Sequence, residues 1–552
     1  MNEPLGRLDF SAQKTLRYSR FAFAVASCLF TLVFFANAWV GDDAYITFRT
    51  IDNFVNGYGL RWNVIERVQT YTHPLWLIVC SVPYYFTHEV YYTVILVSYV
   101  VCLSTLLVYQ FSVETSRPWT GAVVVVALLA SKTFMDYSSS GLENGLSALL
   151  GVSFVVTAAR ADRDITSPLS VPLGIAGLAA LSRLDTLLIY IVACALLIVR
   201  RRGLPARLLV RDVVLGMSPV ILWCLFSLVY YGFVFPNTAY AKALVSGVPL
   251  ASRLKQGFAY LLFTALWDPI VPVMMLVFFY VAIRSRSALT LAVAAGVVMY
   301  AVYVVAVAAS SSTMGLRFFS VVFVVAVATT LLAIELFEAL TIGAVAVVFM
   351  VVVPLSPVRT LGCRWSAAEP PLGWKTSAIL DIRALGCRDG AALANFQRNT
   401  RLPDHPWFKS GLEFRQTDER VHLGGPGGLP AMGYFGYSAG PGKVIVDPFG
   451  LTDPLLARLP ATVTPAWLPG EISRPTPPGY LESLQQDANL IVDPSLHQYY
   501  ESLRTIVSGP IFSARRWKEI LAMNLGLKDD LVRRYEAGRK RVLAAGGKLR
   551  LS

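Results

Sequence analysis

The stretch that decides the fold is "FAFAVASCLFTLVFFANAWVGDDAYITFR", residues 21–49. About the first twenty of these residues are apolar, which is long enough to cross the hydrocarbon core of a bilayer. Two adjacent carboxylates, Asp42 and Asp43, follow at once, with Tyr45 and Arg49 close behind. Because ionised carboxylates are costly in hydrocarbon, we expect this pair at the membrane interface or in a polar cavity.

The rest of the chain continues this apolar pattern and then changes to a more polar composition. Of the 552 residues, 55% are hydrophobic and only 15% are charged, which is too apolar for an ordinary soluble protein. Apolar runs continue to residue 357, and prolines, glycines and charges return from residue 358 onward. The sequence therefore predicts a polytopic α-helical membrane domain over residues 1–357 and a soluble domain over residues 358–552.

Basic residues predict the orientation. Cytoplasmic loops are rich in Lys and Arg, so the net charge of +13 needs no nucleic-acid partner. The predicted protein is a multi-pass plasma-membrane protein with a cytoplasmic N-terminus and an extracytoplasmic soluble domain. About 11 spans result if residues 72–86, with two prolines, are re-entrant or interfacial. "ANA" at residues 36–38 also fits a signal-peptide cleavage site, but we expect the segment to stay as the first span. The basic clusters are Arg7 with Lys14, Arg17 and Arg20; Arg160 with Arg163; Arg200–Arg202 with Arg207 and Arg211; and Arg284 with Arg286.

The aspartates open a predicted helix along the membrane surface. Either Asp42 or Asp43 is suited to cap its start, and Gly57 or Gly59 is suited to end it. Asp42, Tyr45 and Arg49 recur at helical spacing and share one face. The alternative is that the acids only favour the positive end of the helix.

The soluble domain is predicted to be mixed α/β. "KVIVD" (443–447) and "ANLIVD" (488–493) are typical of short strands that end at a turn. This domain holds only two cysteines, Cys363 and Cys387. Outside the cytoplasm such a pair favours a disulfide over two unpaired thiols.

An ordered set of motifs, rather than the double aspartate alone, carries a family resemblance. The chain resembles the GT-C superfamily of polyprenyl-phosphate-sugar-dependent glycosyltransferases. Within it, the chain is similar to the mycobacterial arabinofuranosyltransferases that form terminal β-(1→2) linkages. The motifs are "DDAYITFRTIDNFVNGYGLRWN" (42–63), "ERVQTYTHPLW" (66–76), "SSSGLEN" (138–144), "SRLD" (182–185), "FPNTAYAK" (235–242) and "VIVDPFGLTDPLLARL" (444–459).

This resemblance implies a donor, an acceptor and a catalytic first extracytoplasmic loop over residues 41–71. The donor would be decaprenyl-phosphoryl arabinose, and the acceptor the non-reducing end of cell-wall arabinan, in arabinogalactan or lipoarabinomannan. The soluble domain would then hold the polysaccharide. A base must take the proton of the acceptor hydroxyl, and the family pattern favours Asp42 over Asp43 for this role.

The same resemblance assigns roles to the other polar residues. Cations must hold the departing phosphate, and Glu143 or aromatic rings could contact sugars. Arg183 and Asp185 form a second set that most simply neutralise each other. The expected phosphate ligands are Arg49, Lys242, Arg317 and His73, and the expected sugar or acceptor contacts are Tyr45, Glu143 and Asn237.

Several alternatives stay open at this stage. Lys242 and Arg317 could be interfacial anchors for lipid phosphates. Asp42 and Asp43 could hold a divalent cation, although no metal-ligand spacing is visible. A β-linked donor and a β-linked product would need a covalent intermediate or front-side attack. A transporter or flippase of polyprenyl-linked sugars, or a GT-C transferase for another sugar, would also fit the apolar pattern.

Overall fold

The computed structural model describes residues 10–113, 116–243, 248–307, 317–352, 393, 405–425, 432–461 and 472–544. Most of the described residues before residue 353 are helical. These helices are α1 (Phe10–Asn37), α2 (Asp42–Val55), α3 (Pro74–Thr87), α4 (Tyr91–Val113), α5 (Thr120–Ala130), α6 (Lys132–Ser138), α7 (Asn144–Arg163), α8 (Ser170–Ser182), α9 (Leu187–Arg200), α10 (Ala206–Tyr230), α11 (Asn237–Ala243), α12 (Leu250–Trp267), α13 (Ile270–Ser285), α14 (Ala288–Ala306), α15 (Phe319–Ala333) and α16 (Leu336–Val352).

Long apolar helices make this a membrane protein. Among the described residues, five helices have the length and composition to cross a bilayer: Gln13–Asn37 of α1, with α4, α7, α10 and α14. A sixth span results if α5 and α6, which meet at 84°, are taken together. Shorter apolar helices, including α3, α8, α13 and α15, accompany them. The expected count of about eleven spans stays a prediction.

Small residues let the helices approach closely. At Gly216 in α10, an added Cβ would lie 2.5 Å from the Cβ of Leu173 in α8. Contacts this close between two helices are typical of membrane proteins, because lipid gives no hydrophobic force to join helices and packing must do so.

Helix α2 differs from its sequence-based description. Gly41 is its N-cap, so Asp42 and Asp43 occupy the first turn rather than the cap. Its apolar face does not lie on the surface, because Tyr45, Phe48 and Ile51 are at most 1% exposed. α3 and a C-terminal helix cover it. The expectation of a surface-lying helix was wrong because this cover comes from residues far away in the sequence.

The described C-terminal residues are mainly helical, with one short parallel strand pair. "KVIVD" forms β2 as predicted and pairs with β1, Val421 opposite Val444. "ANLIVD" forms no strand and leads into a helix. Cys363, Cys387 and the predicted boundary at residue 357 lie outside the described residues. The elements are α17 (Pro406–Gln416), β1 (Val421–Leu423), α18 (Gly433–Ala439), β2 (Val444–Val446), α19 (Tyr480–Gln486), α20 (Pro494–Ser508), α21 (Ala514–Asn524) and α22 (Asp529–Ala544).

The C-terminal elements dock onto loops of the membrane part. Arg516 in α21 is fully buried and donates to the carbonyls of Val229 and Tyr230 at 2.8 and 2.9 Å. Asn63, in the loop after α2, exchanges two hydrogen bonds of 3.1 Å with the backbone of Ile445. The segment formed by α2 and the loop after it is therefore held between the membrane helices and the C-terminal elements.

Candidate active site

Glu143 is the centre of a buried ion-pair cluster. Its side chain is 0% exposed, and Arg317 donates to both carboxylate oxygens at 2.7 and 3.0 Å. Arg183 donates to the same carboxylate at 3.3 Å from the connection between α8 and α9. Burial opposes ionisation, but the charges of Arg317 and Arg183, together with the ring N–H of His73, outweigh it and hold the pKa of Glu143 below its usual range. Glu143 is thus a fixed anion that orients two arginines.

His73 completes this cluster from the loop before α3. Its Nδ1 lies 3.2 Å from Oε2 of Glu143, and its Nε2 lies 2.7 Å from Oγ1 of Thr47. Because a carboxylate only accepts, we assign the ring proton to Nδ1 and let Nε2 accept from Thr47. Burial lowers the pKa of His73 to about 4, so the ring is neutral at neutral pH. His73 therefore orients Glu143 and adds no positive charge for a phosphate.

Asp43 faces the open side of the cluster. Its side chain is 46% exposed, and its Oδ2 lies 3.9 Å from Nη1 of Arg317. The exposed Lys242 of α11 is close enough for its charge to act on Asp43. Desolvation by the surrounding protein raises the pKa of Asp43 although the side chain is partly open, and the charges of Arg317 and Lys242 oppose this.

Within the part of the chain that the structure describes, Arg317 and Lys242 both keep N–H groups without a partner. Among the described residues, the Nε of Arg317 has no hydrogen-bond partner although it is buried. Within the same described part of the chain, Lys242 makes no hydrogen bond or ion pair. Both cations were expected from the sequence to bind the donor phosphate, and the structure brings them together beside Asp43.

Arg183 and Asp185 form a bidentate pair. The guanidinium donates to both carboxylate oxygens, at 3.0 and 2.6 Å, and stacks 4.7 Å above the ring of Phe318. The two residues neutralise each other, as the sequence suggested, and Arg183 also ties Asp185 to the Glu143 cluster.

Asp42 points the other way, toward the C-terminal elements. Its carboxylate accepts the backbone N–H of Tyr434 at 2.7 Å and that of Gly433 at 3.3 Å, in the first turn of α18. Burial raises the pKa of Asp42 to about 7, and the two N–H groups oppose this rise only in part. A carboxylate with this pKa can take up a proton near neutral pH.

Gly433 in α18 lies directly against the backbone of Asp42. An added Cβ there would lie 1.7 Å from the carbonyl oxygen of Asp42. Real Cβ atoms do not come so near to a backbone oxygen, so only glycine allows this contact. The hydroxyl of Tyr434 also donates to the carbonyl of Val40 at 2.6 Å. Helix α18 is thus packed against the backbone of residues 40–42.

Arg49 lies apart from the cationic cluster. It donates to the carbonyls of Trp62 and Lys443 at 2.8 and 2.7 Å and to that of Gly436. Its guanidinium also lies 4.5 Å from the centre of the Trp62 ring. With these partners, Arg49 is only 2% exposed. It joins α2 to the C-terminal elements, although the sequence had suggested that it binds phosphate.

Tyr45 and Asn237 are also enclosed by other protein groups. Tyr45 is 0% exposed, with its ring packed edge-on against Phe408, Tyr434 and Tyr437 at 5.0 to 5.2 Å. Asn237 donates to the carbonyls of residues 450, 451 and 453 at 2.9 to 3.2 Å. Neither side chain faces the open side of the cluster.

Sequence reasoning missed the residues that support the site from a distance. Thr47 binds His73, Phe318 lies under Arg183, and the N–H groups of Gly433 and Tyr434 bind Asp42. No local pattern marks a threonine or a glycine for such a role. No group of three or more His, Cys, Asp or Glu side chains suited to a metal is found within the described part of the chain.

Fold and site together define a helical membrane protein with an ionised cluster beside the loop that follows its first apolar helix. Comparison with known proteins adds a chemical class. The chain is 27% identical over 256 residues to the terminal beta-(1->2)-arabinofuranosyltransferase of Mycobacterium tuberculosis. The match covers 42% of this chain and 39% of that protein, well under half of its length. The similarity supports a glycosyltransferase activity in general. No protein-family model and no solved structure matches the chain.

Proposed function

We propose that this protein is a membrane glycosyltransferase that moves arabinofuranose from decaprenyl-phosphoryl arabinose to the non-reducing ends of cell-wall arabinan. The product would be a terminal β-(1→2) linkage. One observation carries the proposal: Asp43, Arg317 and Lys242 meet on one open side, next to the buried Glu143. The name of the mycobacterial relative supports the choice of sugar.

The cations hold the leaving group in this proposal. As the bond between the anomeric carbon and the phosphate oxygen breaks, its electron pair stays on the decaprenyl phosphate. Arg317 and Lys242 stabilise the charge that develops there, because preoriented donors cost no reorganisation during the reaction. Glu143, itself held by Arg183 and His73, keeps the guanidinium of Arg317 in place.

Asp42 is the base in this proposal. Its pKa of about 7 suits a group that must accept the proton of the acceptor hydroxyl at neutral pH. It lies between Asp43 on the donor side and the C-terminal elements, which we assign to the polysaccharide. Asp43 then lies beside the donor phosphate and the anomeric carbon. Retention of the β configuration would require this second carboxylate as nucleophile, or else front-side attack.

The test is a transfer assay with purified protein and synthetic decaprenyl-phosphoryl sugars. Arabinofuranose should be transferred to an arabinan oligosaccharide, and linkage analysis should find a terminal β-(1→2) bond. Parallel reactions with mannose and ribose donors test the sugar, and a chelator tests a divalent cation. Efficient transfer of another sugar and not of arabinofuranose would contradict the donor assignment while leaving the class of enzyme standing.

A further inference from the structure

Two adjoining cavities lie at the far end of the helical domain from the Glu143 cluster. Helix α7 begins at Asn144, which donates to the carbonyl of Arg317, and ends 20 residues later at Arg163. At 1.5 Å per residue this separates its ends by about 30 Å. Arg163 and Leu332 line both cavities, whose volumes are about 390 Å³ and about 220 Å³. The larger volume falls in the range of ordinary ligand sites.

The larger cavity carries an excess of positive charge. Arg117 and Arg163 line it, and Arg160 reaches its wall at Ser112, 3.5 Å away. Arg117 donates one N–H group to the carbonyl of Ile334. Among the described residues, Arg163 has no hydrogen-bond or ion-pair partner. Among the described residues of this lining, Glu335 is the one acid, and it forms no ion pair there with either arginine.

A helix end adds to this charge. Pro118 and Thr120, at the start of α5, line the same cavity, and no side chain caps this helix. The first N–H groups of an α-helix lack partners within the helix and favour an anion. Two arginines and a helix N-terminus therefore converge on one space.

The smaller cavity has an aliphatic side and a polar side. Its aliphatic side includes Val155, Val293 and Ala333, and Leu332 continues this side into the larger cavity. Its polar side holds Asp162, Ser285, Ser287, Thr290 and Thr329. A site that joins cations to aliphatic side chains matches an amphiphile better than a free ion.

We propose that these cavities bind an anionic phospholipid, with its phosphate between Arg117 and Arg163 and an acyl chain along the aliphatic side of the smaller cavity. The bias of basic residues predicts this face to be cytoplasmic. The proposal is independent of the proposed transferase activity, because none of Asp42, Asp43, Glu143, Lys242 and Arg317 lines either cavity.

The test is lipid binding to the purified full chain in detergent, followed by native mass spectrometry. The probes are dioleoyl phosphatidylglycerol, dioleoyl phosphatidylcholine and inorganic phosphate. Phosphatidylglycerol should bind with preference, and inorganic phosphate should not compete at equal concentration. Equal binding of the two lipids, or competition by inorganic phosphate as strong as by lipid, would overturn the proposal.

Four variants locate the site. Arg117→Gln and Arg163→Gln should each weaken phosphatidylglycerol binding about fivefold, as for a basic residue near a membrane surface. Glu335→Gln should strengthen it, because it removes the opposing charge. Arg207→Gln is the matched control, since Arg207 is exposed on the same face and lines neither cavity. An equal loss in the Arg207 variant would show a diffuse surface charge and overturn the assigned site.

Discussion

The two neighbouring aspartates have different surroundings. Asp43 faces Arg317 and Lys242, whereas Asp42 accepts two backbone N–H groups from the C-terminal elements. Successive residues of a helix point about 100° apart, so one turn of α2 can serve two sides of a site. In the proposed mechanism, this geometry separates a donor-side carboxylate from an acceptor-side one.

Replacing Asp42 by asparagine tests the proposed base. The amide oxygen still accepts the N–H of Tyr434, so the fold should survive, but the amide cannot take a proton. We expect kcat to fall by roughly 10²–10⁴-fold, with little change in the melting temperature. Near-normal turnover by this variant would remove Asp42 from the catalytic role and leave Asp43 as the carboxylate to test.

The pH dependence follows from the raised pKa of Asp42. The base must be ionised, so kcat/KM should rise about tenfold per pH unit below about pH 7 and level off above it. The effect on stability has the opposite sign. Between the ordinary pKa of 3.8 and about 7, the folded state holds this proton more tightly than the unfolded state, so stability falls as the pH rises through that window. A rate that is flat from pH 5 to 8 would contradict the assignment.

Glu143 should matter for stability as well as for catalysis. Glu143→Gln removes the anion shared by the buried Arg183, which keeps Asp185, and the partly buried Arg317, and we expect the free energy of unfolding to fall by about 3–5 kcal/mol. The lowered pKa of Glu143 means that its contribution is present above its ordinary pKa of 4.5 and is lost as the pH falls. Denaturant titrations of both proteins measure these effects.

Glu419→Gln is the control for this substitution. The Glu419 side chain is 55% exposed and 3.6 Å from His422, so its loss should change the free energy of unfolding by less than about 1 kcal/mol. Equal destabilisation by the two variants would show that Glu143 contributes no more to the free energy of unfolding than an exposed glutamate does.

At the scale of elements, the contact between α2 and α18 sets the position of the acids. Gly433→Ala places a Cβ against the carbonyl of Asp42, so α18 must move away from α2. We expect the variant to lose most of its transfer activity and to expose the C-terminal elements to limited proteolysis. Gly442→Ala is the matched control in the same segment, because nothing lies within 4 Å of the Cβ it adds. Wild-type activity in the Gly433 variant would show that this contact does not position the acids.

The apolar helices could be predicted and the surroundings of α2 could not. Runs of apolar residues indicate helices α4, α7, α10 and α14 directly, because each must match the thickness of a membrane. α2 itself was also predictable from its spacing. Its burial was not, since the covering residues Phe408, Tyr434 and Tyr437 lie more than three hundred positions away and carry no local sign of their partner.

The residues of the Glu143 cluster were also predictable only in part. Arg49, Lys242 and Arg317 were candidates because a departing phosphate needs cations. The donors of Arg49, however, are bound by carbonyls at residues 62, 436 and 443. Which of two buried arginines keeps free N–H groups depends on the tertiary fold, and spacing along one helix does not report it.

At the scale of the whole molecule, the ionised groups gather at two ends of the helical bundle. The acids and cations of the Glu143 cluster lie at one end, under the C-terminal elements, and the arginine-lined cavities lie at the other. A transporter would need the sugar to pass from one end to the other, whereas a transferase uses one end only.

The most direct measurement is therefore transfer by the purified protein in detergent, where no separate compartments exist. With decaprenyl-phosphoryl arabinofuranose and an arabinan oligosaccharide, the wild-type protein should release decaprenyl phosphate and glycosylated acceptor in equal amounts. The Asp42→Asn variant should release both more slowly by roughly 10²–10⁴-fold. The absence of product in detergent, together with movement of the intact lipid-linked sugar across vesicles that contain the protein, would contradict a transferase at the Asp42–Arg317 site.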